Sequence, residues 1–83
     1  MHLDLGSLKS VDNFVDEFKS KFDQLNILVN NAGVMVCPYG LTQDGIELQF
    51  GTNHVGHFRL TTKLLDLLEK SEPSRIVNVR YFF

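Results

Sequence analysis

The side chains best placed for chemistry are three amides, Asn30, Asn31 and Asn53, and two imidazoles, His54 and His57. Asn30 and Asn31 follow the apolar run Ile27-Leu28-Val29 and precede Ala32-Gly33. An uninterrupted apolar run suits a strand buried on both faces of a parallel sheet. Ligands of open α/β sheets collect where such a strand gives way to a polar, turning loop at its carboxyl end. Each amide both donates and accepts, so it can tie strand ends and loops together. Ala32 keeps the wall low, and Gly33 permits close approach by a ligand or another backbone. A strand followed by an Asx-type turn accounts for the same residues without any ligand.

The two histidines stand three apart and can share a helix face, but a metal needs a third or fourth ligand and nothing nearby offers one. Packing or helix surface is the favoured reading, and no metal site is expected. Cys37, the only cysteine, lacks an obvious activator and reads as a packed small hydrophobe. Asn53 has two readings: it bonds a neighbouring turn and bends its helix, or it marks a kink presenting polar groups to an active site.

The elements that must position these groups alternate. Residues 1–5 form a stub strand, and Ser7 is a reasonable N-cap. Leu8, Val11, Val15, Phe18 and Phe22, widened by Phe14, draw one stripe of an amphipathic helix whose other face carries Asp12, Asp16, Glu17, Lys19 and Lys21. The strand ending at Asn30 follows. Residues 34–42 form a loop whose Val34, Met35 and Val36 are too apolar to be left without cover. Thr42 or Asp44 then caps a long helix to about Lys70, which Pro73 forbids from continuing. Its first half carries Gly51, Thr52, Asn53 and Gly56, poor helix formers, and such inconsistency is expected where function or close packing overrides propensity. Its second half is Leu-rich. Arg75 to Val79 makes a second buried-type strand. The order β-α-β-α-β points to parallel strands joined by right-handed crossovers.

Length and composition narrow the function classes. Eighty-three residues allow one small domain with a marginal core. A net charge of −2 gives no reason to expect nucleic acid or an anionic membrane as partner. One cysteine excludes an intrachain disulfide. No apolar run is long enough to span a bilayer, and the amino-terminal residues lack a signal peptide's pattern, so the compartment stays open with an intracellular default.

Taken in register, Asn30-Asn31-Ala32-Gly33-Val34-Met35, Cys37-Pro38, Asp44-Gly45, Gln49-Phe50-Gly51, Asn53-His54-Val55-Gly56-His57-Phe58 and Pro73-Ser74-Arg75-Ile76-Val77-Asn78-Val79 resemble the short-chain dehydrogenase/reductase family. Within it they are most similar to the retinol dehydrogenase and WW-domain oxidoreductase branch. The resemblance implies a partial Rossmann fragment, part of a three-layer α/β/α fold, with residues 1–83 as the central part of one NAD(P)-binding domain. Asp4, with Leu5 beside it, ends the family's third strand, where an aspartate accepts from the adenine amino group. Asn30, Asn31, Ala32 and Gly33 line the adenosine side of the pocket. Asn53 matches the asparagine of a Ser-Tyr-Lys-Asn catalytic group, in which it holds a water of a proton relay. Hydride then moves between NAD(P), by branch resemblance NADP, and a small alcohol or carbonyl compound, with the tyrosine as acid or base.

The departures carry equal weight. The 83 residues contain neither the glycine-rich phosphate loop nor Tyr-x-x-x-Lys, and Arg80-Tyr81 stand where the family has two serines. Of the four catalytic groups only Asn53 is present, so binding of the cofactor is in doubt and the chain by itself is expected to be inactive. Only the strands of Ile27 and Ile76 keep a native partner, each other. The helix from Leu8 is expected to cross a gap, leaving Phe14, Phe18 and Phe22 short of cover and the chain prone to aggregate. Two other readings stand: a non-catalytic product that pairs with a full-length relative through the Thr42 to Lys70 helix, and a gene-model artefact that carries residues 80–83 out of frame.

Overall fold

A computed structural model describes residues 1–35 and 37–79 of the chain, so the expectations that fall on Val36 and on residues 80–83 lie outside the described residues. The elements are α1 (Leu8–Lys21), β1 (Ile27–Asn30), α2 (Leu48–Phe50), a π-helical turn (Gly51–Val55), α3 (Gly56–Lys70) and β2 (Arg75–Asn78).

Helix α1 begins where its orphan amides find acceptors. The buried Ser7 takes the N–H of Ser10 at 3.2 Å, and Asp44, from a distant turn, takes that of Leu8 at 2.8 Å. Lys19 and Lys21 sit in the last turn, favourable at the negative end of the helix dipole. The stripe legible in the sequence buries Val11 and Val15 against Leu60, Leu64, Leu67 and Leu68 of α3. Asp12 meets Arg59 in a two-pronged pair at 2.9 Å and Lys63 at 3.3 Å, and Lys19 meets Asp66 at 2.9 Å. The Asp12–Arg59 and Lys19–Asp66 pairs each span 47 positions, so the two helices run parallel, as helices that lead into strands of one parallel sheet must. Helix α1 therefore finds its cover on α3. Phe14 and Phe18 pack on the core, while Phe22 is 52% exposed at the end of the aromatic row.

Strands β1 and β2 pair in parallel, with Ile27 opposite Arg75 and Asn30 opposite Asn78. The α/β class and this single pairing are as expected. Burial on both faces is not. Leu28 packs on the core and Asn30 is buried, both towards α3, whereas Ile27 and Val29 are 63% and 54% exposed. Side chains alternate across a strand, so a helical layer on one face covers every second residue and leaves the others bare. Of the three layers, the described residues supply two.

Residues 1–5 take no place in the sheet. The Asp4 N–H donates to Ser10 Oγ at 2.9 Å and its carbonyl accepts from Ser7 at 3.1 Å, so side chain and turn replace a strand neighbour. The long helix also starts later than the expected Thr42 or Asp44. Gly45 adopts φ +76°, its N–H bonds the Thr42 carbonyl at 3.1 Å, and Leu41 bridges Glu47 in antiparallel fashion. Asp44-Gly45 is turn chemistry, and a left-handed glycine ends any helical continuity there. Glu47 is the N-cap instead, its carboxylate accepting from Gln49 and Phe50 at 2.9 and 2.8 Å, which holds its pKa below the ordinary range.

At the far end, Ser71 couples α3 to β1. Its hydroxyl donates to the Leu67 carbonyl at 2.6 Å and accepts the Leu25 N–H at 2.9 Å, and its carbonyl accepts from Asn26 Nδ2 at 2.8 Å. Helix end and strand start are thereby held together, which sets where Asn30 emerges four residues later. Among the described residues no helix is long and apolar enough to cross a membrane.

Candidate functional site

The poor-helix stretch is the hub on which the candidate residues converge. Residues 51–55 wind as a π-helix, with the Gly56 N–H reaching the Gly51 carbonyl, and such turns concentrate at functional sites. Asn53 lies within it and sets its amide edge-on against the Val34 peptide, Oδ1 accepting the N–H at 2.8 Å and Nδ2 donating to the carbonyl at 2.6 Å. Here Asn53 bonds a neighbouring loop, the first of its two expected readings, and does so from an altered helix turn, which belongs to the second. A Cβ on Gly33 would lie 2.8 Å from Asn53 Oδ1, so the glycine is what lets the loop close on the amide.

One turn further on, Gly56 faces the Leu5 carbonyl so closely that a Cβ there would overlap it. The two glycines that make this a poor helix, Gly51 and Gly56, are both buried. The Asp4-Leu5 segment and the Asn30–Gly33 loop thus both rest on residues 51–57, Leu5 at Gly56 and Gly33 at Asn53.

His57 was missed by sequence reasoning, which left it to packing or the helix surface. It faces the loop, Nε2 lying 2.6 Å from the Ala32 carbonyl and Nδ1 3.2 Å from Asn30 Oδ1. Asn30 in turn donates to Thr61 Oγ1 at 3.0 Å and to Asn78 Oδ1 at 2.8 Å. His54 takes another face, exposed and stacked between Phe50 and Phe58 with ring centroids 5.2 and 6.4 Å away. The spacing of the two histidines carried no hint of this division. The only available signal was the amide-rich loop, which needs partners for its carbonyls.

Asn31, Ala32 and Gly33 are solvent-exposed, and neither Ala32 nor Gly33 has a side chain beyond Cβ. Such a floor suits a flat ligand lying on the loop. Asp4 is an exposed carboxylate whose Oδ1 accepts from the Gly6 N–H at 2.9 Å. These features fit the adenosine side of a dinucleotide: a low loop and an acceptor for an amino group. They do not fit its pyrophosphate. A phosphate site at a helix start needs free N–H groups and no opposing charge. At α1 the Leu8 and Ser10 N–H groups are taken by Asp44 and Ser7, and at α2 those of Gln49 and Phe50 by the Glu47 carboxylate. The apolar cover expected for the loop beyond is incomplete: Val34 and Cys37 are half-buried, but Met35 is 53% exposed.

Comparison with known proteins shows the family. The family model described as short chain dehydrogenase matches residues 1–80. Retinol dehydrogenase 13 of Homo sapiens is 55% identical over 78 residues, which cover 94% of this chain and 24% of that protein. Retinol dehydrogenase 14 of Mus musculus is 57% identical over 93% of this chain and 23% of its own length. The chloroplastic short-chain dehydrogenase TIC 32 A of Brassica napus is 52% identical over 95% and 26%. Among solved structures, the menthone neomenthol reductase of Mentha piperita superposes with a TM-score of 0.70 at 29% identity, covering 94% of this chain and 39% of that one. The chain spans about a quarter of the length of the curated relatives it matches. With a family model matched over residues 1–80 and relatives more than half identical over nearly all of it, the chain belongs to the short-chain dehydrogenase family, an NAD(P)-binding family, on its retinol dehydrogenase-like branch.

Proposed function

We propose that these residues form the adenosine-side wall of the nucleotide pocket, and carry the catalytic asparagine, of a retinol dehydrogenase-like oxidoreductase. The observation that carries this reading is the Asn53–Val34 pair, which joins the helix turn bearing Asn53 to the loop Asn30–Gly33 at hydrogen-bond distance. NADP is the preferred cofactor by resemblance to the branch, and it supplies or accepts the hydride exchanged with an alcohol or carbonyl carbon. Asp4 and Leu5 flank the adenine, with the Asp4 carboxylate accepting from its amino group. Asn30 to Gly33 lie along the adenosine, and Asn53 orders a water of the proton relay. The 83 residues hold no Tyr-x-x-x-Lys, and Arg80-Tyr81 stand at the family's serine positions, so the chain by itself turns nothing over.

The test has two arms. The purified 83-residue chain is incubated with retinaldehyde and NADPH or NADH, and no oxidation of either nucleotide is expected; turnover overturns the inactivity. Residues 1–79 are then exchanged for the matching segment of retinol dehydrogenase 13. NADPH-dependent reduction that survives the exchange, and falls when Asn53 becomes alanine, supports the reading. A chimera that folds with the parental Tm but fails to bind NADPH overturns it.

One observation favours a second reading, association with a full-length relative through residues 42–70. The Leu-rich half of α3 is spent on the core, as Leu60, Leu64, Leu67 and Leu68 are buried against α1. The exposed row Phe50, His54 and Phe58 takes its place as the apolar face of that segment. Phe58→Arg should abolish such association in sedimentation velocity; an unchanged sedimentation profile sinks it.

A further inference from the structure

We propose that His57 is the positioning residue of the Asn30–Gly33 loop: its Nε2–H holds the Ala32 carbonyl, and the protonation of its Nδ1 sets which way the Asn30 and Asn78 amides face. The naming of that loop as a nucleotide wall rests on the proposed function, but the positioning role does not.

The donor inventory forces the argument. A peptide carbonyl only accepts, so the 2.6 Å approach to Ala32 fixes the proton of the neutral ring on Nε2. The Nδ1 of that neutral ring is then an acceptor. Yet the atom facing it at 3.2 Å is Asn30 Oδ1, another acceptor, because the Asn30 amino group is turned to Thr61 Oγ1 and Asn78 Oδ1. The arrangement is complete when the imidazole carries both protons. When the ring is neutral, the Asn30 amide must turn over to present its amino group to Nδ1. Its oxygen then faces Thr61, whose hydroxyl can donate, and Asn78, whose exposed amide is free to turn over and donate in the same way.

Few other charges can drive this change. Strand β1 and residues 31–35 carry no titratable side chain. Strand β2 contributes Arg75 alone, paired with Ile27 at the opposite end from Asn78. On the helix itself, His54 is stacked on Phe50 and Phe58, and Arg59 is paired with Asp12. Asn30 is 7% exposed, so a mismatched amide there cannot simply turn to water. The His57 ring is therefore read directly by Asn30 of β1 and the Ala32 carbonyl, and through Asn30 by Asn78 of β2, with one proton as the variable.

Nitrogen-15 spectroscopy of the ¹⁵N-labelled 83-residue chain tests this across pH 5–9. The neutral His57 ring is expected as the Nε2–H tautomer, and the side-chain amide signals of Asn30 and Asn78 are expected to move with the same midpoint as the His57 ring. His2 and His54 provide internal controls whose titrations those amides should not follow. His57→Gln, which cannot titrate, should leave both amide signals flat with pH. A neutral His57 in the Nδ1–H form, or Asn30 and Asn78 amides that stay still while the ring titrates, overturns the proposal, and both are read on the unmutated chain. The two claims fail separately: loss of NADPH binding by a folded chimera with retinol dehydrogenase 13 counts against the proposed function alone, because the tautomer and amide signals are read without nucleotide.

Discussion

The side-chain amide of Asn53 and the backbone peptide of Val34 form a reciprocal pair, closed at 2.8 and 2.6 Å. One side chain satisfies both polar groups of a loop residue that no strand reaches. That is how a loop beyond the end of β1 is held without belonging to the sheet.

Removing this pair should be felt. Asn53→Ala leaves a part-buried N–H and carbonyl without partners, a loss of about 1–3 kcal/mol in folding stability. Urea unfolding measures it, and hydrogen exchange should show the Val34 amide among the sites that lose most protection. Unchanged protection at Val34 would contradict the pairing.

Gly56→Ala offers a contrast between local and tertiary preference. Alanine in a helix gains up to about 1 kcal/mol over glycine. Here its Cβ meets the Leu5 carbonyl, and overpacking of this kind costs about 1–3 kcal/mol. A net fall in Tm is expected; a rise shows that the Leu5 segment gives way freely.

Asp12 makes stability depend on acid. Its hydrogen bond to Arg59 holds its carboxyl below the ordinary value of 3.8, opposed in part by desolvation and assisted by Lys63. The folded value thus lies below the unfolded one. The contribution of the pair is complete above 3.8 and is lost as pH falls through the depressed value. Asp12→Asn should lower Tm at pH 7, and the gap from the unmutated chain should narrow as pH falls below 3.8. A gap that does not depend on pH rules out this pair as its source.

The bare face of β1 predicts self-association. Ile27→Thr with Val29→Thr keeps β-branched residues in the strand while removing exposed apolar surface. Stability should change by less than about 0.5 kcal/mol per site, as for other surface substitutions. Association in sedimentation velocity should fall. If it does not, the aggregation-prone surface lies elsewhere.

Much of this protein is legible without coordinates. The three-four spacing from Leu8 to Phe22, the apolar runs before Asn30 and Asn78, and Pro73 after Lys70 are local signals. Local signals determine which segments become helix or strand. The peptides around Asn30, Asn53 and Arg75 determine the family as well, because side-chain identity in register survives in one dimension.

What only the tertiary structure decided involves partners far apart in the chain. The role of His57 depends on Ala32 and Asn30, 25 and 27 positions away, and the start of α1 on Asp44, 36 positions beyond Leu8. Gly56 stands in its helix because of Leu5, which no window centred on the helix contains. The later start of α2 was the exception, since Asp44-Gly45 announced a turn that the apolar pattern around it obscured. Burial on one face of β1 instead of two follows the same rule: a strand's sequence determines that it can be covered, and packing determines whether it is.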